Sequence, residues 1–352
     1  MNDLIVGKFA EASANSAKDL ERIGRIVLSD PRRRVVVIGN TDAARKCAAL
    51  LGYRFVPTDE LLKFTDEGRL DTRTTYSRCR HMAAQKTGIV VPGLPDGDLR
   101  LSGSDAVAAT IAAGMMASVF EKWSNHPGVL FVDPAIVPET RAIISLSYAE
   151  MRDLAYAGAR GLHEDAIVPL SSAGVATHIR SALRPDQDGT WIRTRTPAGV
   201  HSNGVVGITG RNGFYSMRIE KPYMHEQVGY VYGVLHVLKR HNISFEHMPS
   251  SIDSITLIFK TDHETIAKVE DDVLRMCGPS WITNLPNTAL IMVVGEGMYG
   301  KPGMLAAVAG ALAKNRINIR MVDQDSSERN IILGVFDKDM DAAIRALYQT
   351  FH

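Results

Sequence analysis

The sequence predicts an α/β chain, a layered amino-terminal domain followed by two small ferredoxin-like βαββ units. Three observations carry that prediction. Short β-branched runs alternate with helical patterns through roughly the first 200 residues, as a domain of helices layered on a sheet requires. The remainder repeats one order of pieces, strand, helix, strand, strand, in Val205–Phe259 and again in Ala289–Phe336. Its landmarks also recur in position: Gly229 and Gly303 at the helix start, Leu238 and Leu312 near its end, Asn242-Ile243 and Asn318-Ile319 closing it.

Taken in order, Leu4–Lys8 reads as a first strand and Ala14–Leu28 as a helix stopped by Ser29-Asp30-Pro31. Val35–Ile38 is a continuous apolar run, the pattern of a strand covered on both faces, and is expected at the centre of the sheet. Asp42–Leu51 follows as a helix, Tyr53–Pro57 as a strand, Tyr76–Gln85 as a helix and Gly88–Pro92 as a strand. A Gly/Pro/Asp loop, Leu94–Leu101, then delivers Ser102-Gly103-Ser104-Asp105 to an Ala-rich helix, Ala106–Ala117. Trp123–Gly128 and Asp133-Pro134 are turns, Tyr148–Ala157 a helix, Val175–Arg180 a strand, and the polar stretch Asp186–Ala198 the expected linker. The expected domains are therefore 1–198 and 199–352, the second divided into units at about 203–272 and 285–352, with or without a shared last strand.

Composition narrows the class. With 352 residues, 45% hydrophobic and 22% charged, the chain can bury a sizeable core, which excludes a disordered or fibrous protein. Forty Lys+Arg against 39 Asp+Glu leave a net charge of +1, so no overall field draws nucleic acid or an anionic membrane. Cys47, Cys79 and Cys277 are odd in number and far apart, which matches neither a disulfide framework nor a zinc site. The amino terminus lacks the order of a signal peptide and no apolar run has the length of a membrane span, so a cytoplasmic protein without a membrane partner is expected.

Lys8-Phe9 follows the first strand, and Ser102-Gly103-Ser104-Asp105 opens a helix. Trp123, Pro127-Gly128, Asp133-Pro134, Val137-Pro138, Tyr148-Ala149-Glu150 and Gly158–His163 then appear in sequence before the two repeats. This order of motifs is similar to that of the aspartokinases from end to end, and the string His247-Met-Pro249-Ser250-Ser251-Ile252-Asp253 and the terminal Ala346–Phe351 resemble one subgroup of that family. The resemblance implies an amino-acid-kinase domain, here shortened, followed by tandem ACT domains, and transfer of the ATP γ-phosphoryl group to the side-chain carboxylate of aspartate. Such chemistry needs phosphates held by backbone N–H groups and cations, with Mg²⁺ to neutralise charge, and a positive clamp on the substrate.

Carried over residue by residue, the resemblance makes Lys8 and Asp105 the catalytic candidates, and Ser13, Arg100 and Ser104 the substrate-binding ones. Ser124, Asn125, Gly128, Asp133 and Arg160 become nucleotide-binding candidates. It implies no protein metal site. Three departures stand out. The family's Lys-Phe-Gly-Gly start is here Lys8-Phe9-Ala10-Glu11, with both glycines gone and a carboxylate where phosphate should approach. The clamping Arg falls at Leu101, with Arg100 one place early, which in an extended strand would face the other way. A helical block that carries a substrate-binding Glu is missing, because Val35–Asn40 passes directly into Thr41–Leu51. Ser104 and Asp105 also suit the N-cap of the following helix, and His163 suits a structural hydrogen bond.

For the ACT region the resemblance gives Met224, Gln227, Gly229, Phe245, Glu246, Ser250, Ser251 and Asp253 as effector-binding candidates. Glu246 is placed either to take a ligand ammonium group or to sit as a solvated surface carboxylate. Asp325 stands where the family has Gly in a tight turn, and Asp tolerates positive φ better than most residues. The expected partners are an amino-acid effector and, joined through the ACT units, a second copy, with a catalytically competent relative as the alternative. The departures favour a pseudokinase that senses an amino acid. The alternative is an active ATP-dependent kinase acting on aspartate or a related small carboxylate.

Overall fold

The computed structural model describes residues 3–94, 101, 103–195 and 203–352. Two compact units divide at Gly207/Ile208.

The first unit runs β1 (Ile5–Phe9), α1 (Ala17–Leu28), β2 (Val35–Ile38), α2 (Thr41–Leu51), β3 (Arg54–Phe55), α3 (Thr58–Leu61), α4 (Thr72–Ala84) and β4 (Ile89–Pro92). It continues with α5 (Ser104–Gly114), β5 (Val119–Ser124), β6 (Ser145–Ser147), α6 (Tyr148–Tyr156), α7 (Glu164–Ser172), β7 (Ala176–Ser181) and β8 (Thr190–Arg193). The strands form one sheet in the order β3-β4-β2-β1-β5-β7-β8-β6, with parallel neighbours from β3 across to β7. Alternation along β1 sends Phe9 into the cluster built with α1 and α2, and Lys8 to the opposite face, where α5 packs. From β1 the chain builds outward to β2, β4 and β3, then returns to lay β5 on the other flank of β1. This reversal is the switch point at which open α/β sheets leave a crevice beyond the strand ends.

Several expectations change. The apolar run Val35–Ile38 is a fully buried strand, but it lies third from one edge, and β1 and β5 hold the middle. Residues 190–193 of the expected linker form β8, paired with both β7 and β6, and residues 196–198 lie outside the described residues. The helix expected from Tyr76 starts four residues earlier, where Asp71 accepts a hydrogen bond from the Thr74 amide. The Ala-rich helix covers Ser104–Gly114, shifted toward the amino terminus from Ala106–Ala117. Trp123, taken as part of a turn, belongs to β5.

The second unit comprises β9 (Gly207–Glu220), α8 (Tyr230–Arg240), β10 (Phe245–His247), β11 (Ser254–Phe259), α9 (His263–Cys277), β12 (Trp281–Val294), α10 (Met304–Lys314), β13 (Met321–Asp323), β14 (Asn330–Phe336) and α11 (Met340–Phe351). Each repeat thus closes with a helix that the reading strand, helix, strand, strand leaves out. The six strands make one sheet, β10-β11-β9-β12-β14-β13, in which the 14-residue strands β9 and β12 join the two repeats. The approaches of Ser280 to Glu220 and of Leu290 to Gly210 set these two strands antiparallel.

Gly229 and Gly303 occupy the same place in the two copies. Each precedes its helix at a left-handed φ, 81° and 90°, which glycine adopts without a Cβ penalty. The helix exits also correspond, but not at the expected residues. Ile243 N–H donates to the Leu238 carbonyl and Ile317 N–H to the Leu312 carbonyl, each at 3.0 Å, so Asn242-Ile243 matches Arg316-Ile317 rather than Asn318-Ile319. Asn242 and Arg316 both take the left-handed conformation, φ 54° and 56°.

Candidate functional site

At the switch point Lys8, Asp105 and Lys122 form a largely buried charge cluster. Lys8 on β1 and Lys122 on β5 are register partners on adjacent parallel strands, so their side chains leave the same face of the sheet. Asp105, in the first turn of α5, meets both ammonium groups. Lys8 Nζ stands 2.5 Å from its Oδ1, and Lys122 Nζ donates a 2.5 Å hydrogen bond to its Oδ2. Lys122 also donates to the Gly161 carbonyl at 2.5 Å. Burial alone would raise the Asp105 pKa, but Lys122 and then Lys8 outweigh it and hold the carboxyl below its ordinary range. Burial also lowers the Lys122 pKa, against the pull of Asp105. Two cations share one anion, so the cluster carries surplus positive charge where the dielectric is low.

Ser104 and Asp105 do not cap α5. Gly103 is the N-cap, at φ 83° and without a side-chain hydrogen bond, which leaves the Asp105 carboxylate for the lysines. Ser13 is buried, and its Oγ donates to Asn125 Oδ1 at 2.9 Å, tying the turn after β1 to the segment after β5. Ser124 Oγ accepts the His126 amide at 3.2 Å. Gly128 sits at φ 147°, and a Cβ there would collide with the Thr190 hydroxyl, which itself accepts the Val129 amide at 2.9 Å. Asp133 Oδ1 accepts the Ala135 amide at 2.8 Å and shapes an exposed turn. Arg160 is exposed beside Gly161. His163 is the N-cap of α7, its Nδ1 accepting the Asp165 amide at 3.3 Å.

Lys8, Ser13, Ser104, Asp105, Ser124 and Asn125 therefore gather around the ends of β1 and β5, while Arg100 lies outside the described residues. Glu11 closes one side of this rim. Its carboxylate lies over Gly39, where any Cβ would collide with it. Gly93 is bare for a similar reason, since a Cβ there would stand 2.9 Å from the Gly39 carbonyl oxygen and 3.2 Å from Ser104 Cβ. Among the described residues no group of three or more His, Cys, Asp or Glu could hold a metal ion, and no helix is long and apolar enough to cross a membrane.

The residue that sequence reasoning missed is Lys122. Val-Phe-Glu-Lys-Trp-Ser carries two adjacent charges and reads as polar, yet Glu121 is buried and Lys122 partly buried, on opposite faces of the sheet. Glu121 turns to the α1 side, where Arg33 grips it through Nε at 2.7 Å and Nη2 at 3.0 Å and Trp123 Nε1 donates at 3.0 Å. The available signal was that charges of opposite sign at successive strand positions must face opposite layers.

The effector candidates fall into two groups. The turn at Met224–Gln227, which leads to Gly229, and the loop Ser250–Asp253 meet directly. Asp253 Oδ1 accepts the Tyr223 amide at 2.8 Å, and His225 N–H reaches the Ile252 carbonyl at 3.2 Å. Phe245 and Glu246 lie at the other end of the sheet, because Phe245 pairs with Phe259 and Phe259 with Tyr215, whereas Ser254 pairs with Glu220. Glu246 is no freely solvated carboxylate, for Arg211 Nη1 stands 3.7 Å from it. The second repeat rebuilds the first junction with different residues: Glu328 Oε2 accepts the Gly300 amide at 2.8 Å. In this turn positive φ falls on Glu328, at 50°, while the Asp325 carboxylate accepts the Ser327 amide at 2.9 Å.

Comparisons with known proteins agree with this architecture. The model of the amino acid kinase family matches residues 44–181, and an ACT domain model matches residues 291–351. Aspartokinase 3 of Bacillus subtilis is 32% identical over 336 residues, which span 89% of this chain and 72% of that protein. The bifunctional aspartokinase/homoserine dehydrogenase of Haemophilus influenzae is 30% identical over 256 residues, 70% of this chain and 31% of its own length. The crystal structure of Clostridium acetobutylicum aspartate kinase superposes with a TM-score of 0.89 at 26% identity, covering 99% of this chain and 100% of that one. Aspartokinase III of E. coli, in complex with aspartate and ADP, superposes at 0.77 with 17% identity, covering 99% of each chain, and bears on the fold alone.

Proposed function

The chain belongs to the aspartokinase family, and on that premise we propose that it transfers the γ-phosphoryl group of ATP to a side-chain carboxylate of aspartate or a close relative, under control of an amino acid bound to its ACT repeats. The supporting observation is the surplus positive charge of the Lys8–Asp105–Lys122 cluster, buried at the strand ends where an anion would neutralise it. ATP would supply the phosphoryl group, its β–γ P–O bond breaking as a new P–O bond forms to the acceptor carboxylate. Lys8 holds and screens the transferred group, and Asp105 fixes the direction of the Lys8 ammonium. Ser13 and Asn125 lock the turn after β1 against the segment that follows β5, a contact suited to positioning the nucleotide. Magnesium fits this arrangement as a companion of the nucleotide phosphates rather than in a cage of protein ligands.

One observation favours a second reading, amino-acid sensing without turnover. The Glu11 carboxylate over Gly39 places negative charge on the rim that phosphates would cross. An assay of ADP release with a panel of amino acids, run beside Asp105→Ala, separates the two. Turnover with aspartate well above the variant supports the kinase. Turnover equal to the variant, with thermal stabilisation by an amino acid retained, leaves only the sensor.

A further inference from the structure

Resting on the kinase reading, we propose that Lys122 is a second phosphoryl-binding cation, working with Lys8 on the transferred group. A lysine in the middle of a sheet is costly to bury, and an aliphatic residue would fill a β5 position between layers at lower cost. Structural need does not account for it, since Asp105 already has Lys8 as its counter-ion. The register pairing of Lys8 with Lys122 brings two ammonium groups from neighbouring strands to one carboxylate at the switch point. Their side chains keep 7% and 15% exposure and that of Asp105 keeps 13%, so the cluster opens to solvent at its edge. Of the three N–H donors of Lys122, Asp105 and the Gly161 carbonyl take two, and no third acceptor is found among the described residues.

In this role Lys122 keeps its proton throughout. It donates hydrogen bonds to the phosphoryl oxygens while the electron pair of the breaking P–O bond leaves with ADP and an acceptor carboxylate oxygen bonds to phosphorus. Asp105 holds the two ammonium groups apart and aimed, which makes it a positioning residue for both. The Gly161 carbonyl anchors Lys122 between turnovers, and departure of the phosphoryl group returns the ammonium to it.

The test uses the full chain with Lys122→Met and Lys122→Arg. Lys122→Met should lower kcat for ADP release about 100-fold or more while changing KM for aspartate by less than about threefold, because the interaction matters most in the transition state. Its Tm should not fall, since a buried ammonium is removed and Lys8 still pairs Asp105. Lys122→Arg should recover part of kcat. A lysine that served only the fold would give the reverse, a lowered Tm with kcat within about threefold of the parent, and that result overturns the proposal. Should the parent turn over no carboxylate at all, the kinase reading fails by itself. Binding of inorganic tripolyphosphate by calorimetry then decides the role of Lys122. Affinity weakened about tenfold or more in Lys122→Met supports phosphate contact, and unchanged affinity refutes it.

Discussion

Replacing Glu121 by alanine should destabilise the first unit by about 4 kcal/mol, through the ion pair it makes with Arg33 rather than through lost volume. Both side chains are buried, at 5% and 8% exposure. Glu121 accepts two guanidinium hydrogen bonds from Arg33 and one from the Trp123 indole. In the variant Arg33 keeps its hydrogen bonds to the Ile26 carbonyl, 2.8 Å, and to Ser29 Oγ, 2.9 Å, but loses its buried anion. Leaving one member of a buried pair uncompensated costs about 3–5 kcal/mol, and the orphaned indole N–H adds about 1 kcal/mol, partly offset by water entering the space. At about 2–4 °C per kcal/mol for a unit of this size, Tm should drop by roughly 8–16 °C. Urea unfolding followed by tryptophan fluorescence measures the change. The double variant Arg33→Met with Glu121→Met leaves only the partly exposed Arg180, whose Nη1 stands 3.8 Å from Glu121 Oε1, without this anion, and should recover to within about 2 kcal/mol of the parent. A single variant within about 1 kcal/mol of the parent would refute the reasoning, as would a double variant no more stable than the single one.

Further outcomes follow from other contacts. Gly93→Ala should cost about 1–3 kcal/mol and weaken turnover, because its Cβ would press on the Gly39 backbone and Ser104; Gly39→Ala should cost less, since only the flexible Glu11 side chain must move, and equal melting points for the two would contradict this. His178 is held neutral by burial below its ordinary pKa, with Nε2 2.6 Å from the Asp188 carbonyl and the ring stacked 3.9 Å from Trp191. The unfolded chain therefore binds the extra proton first, so stability should fall as pH drops below about 6.5, and His178→Phe should flatten that slope in a Tm-versus-pH series. Gly229→Ala and Gly303→Ala each force a left-handed alanine ahead of a helix and should cost about 1–2 kcal/mol apiece, measurable by denaturant titration of the second unit.

Much of this was legible in the sequence, because the long-period signals survive without partners. Val35–Ile38 announced a buried strand and Gly88–Pro92 a strand, and the recurring Gly229 and Gly303 announced two copies of one unit. What failed was decided by contacts across distance. β5 was obscured because Glu121 and Lys122 count as polar until Arg33 and Asp105 are placed against them. α7 was passed over because Pro169 lies inside it, six residues into a nine-residue helix. β8 looks like a linker until Thr190 is seen to hold Val129 and the Ile143 carbonyl. The exit of α10 was misread because Asn318-Ile319 copies the letters of Asn242-Ile243, while left-handed geometry falls on Arg316. In the candidate site, motif order singled out Lys8 and Asp105, which the structure brings together, whereas Lys122 joins them only through the register of β1 against β5, which the sequence does not display.

The long strands β9 and β12 have one more consequence. Because they lie side by side, antiparallel, at the centre of one six-stranded sheet, the two repeats share that sheet rather than each standing alone. A tug on the turn before α8 is felt along a backbone ladder that ends inside the other copy, and sliding one copy by a single residue would invert every side chain on the seam. The two repeats should therefore unfold together, in one transition of a denaturant titration of the second unit.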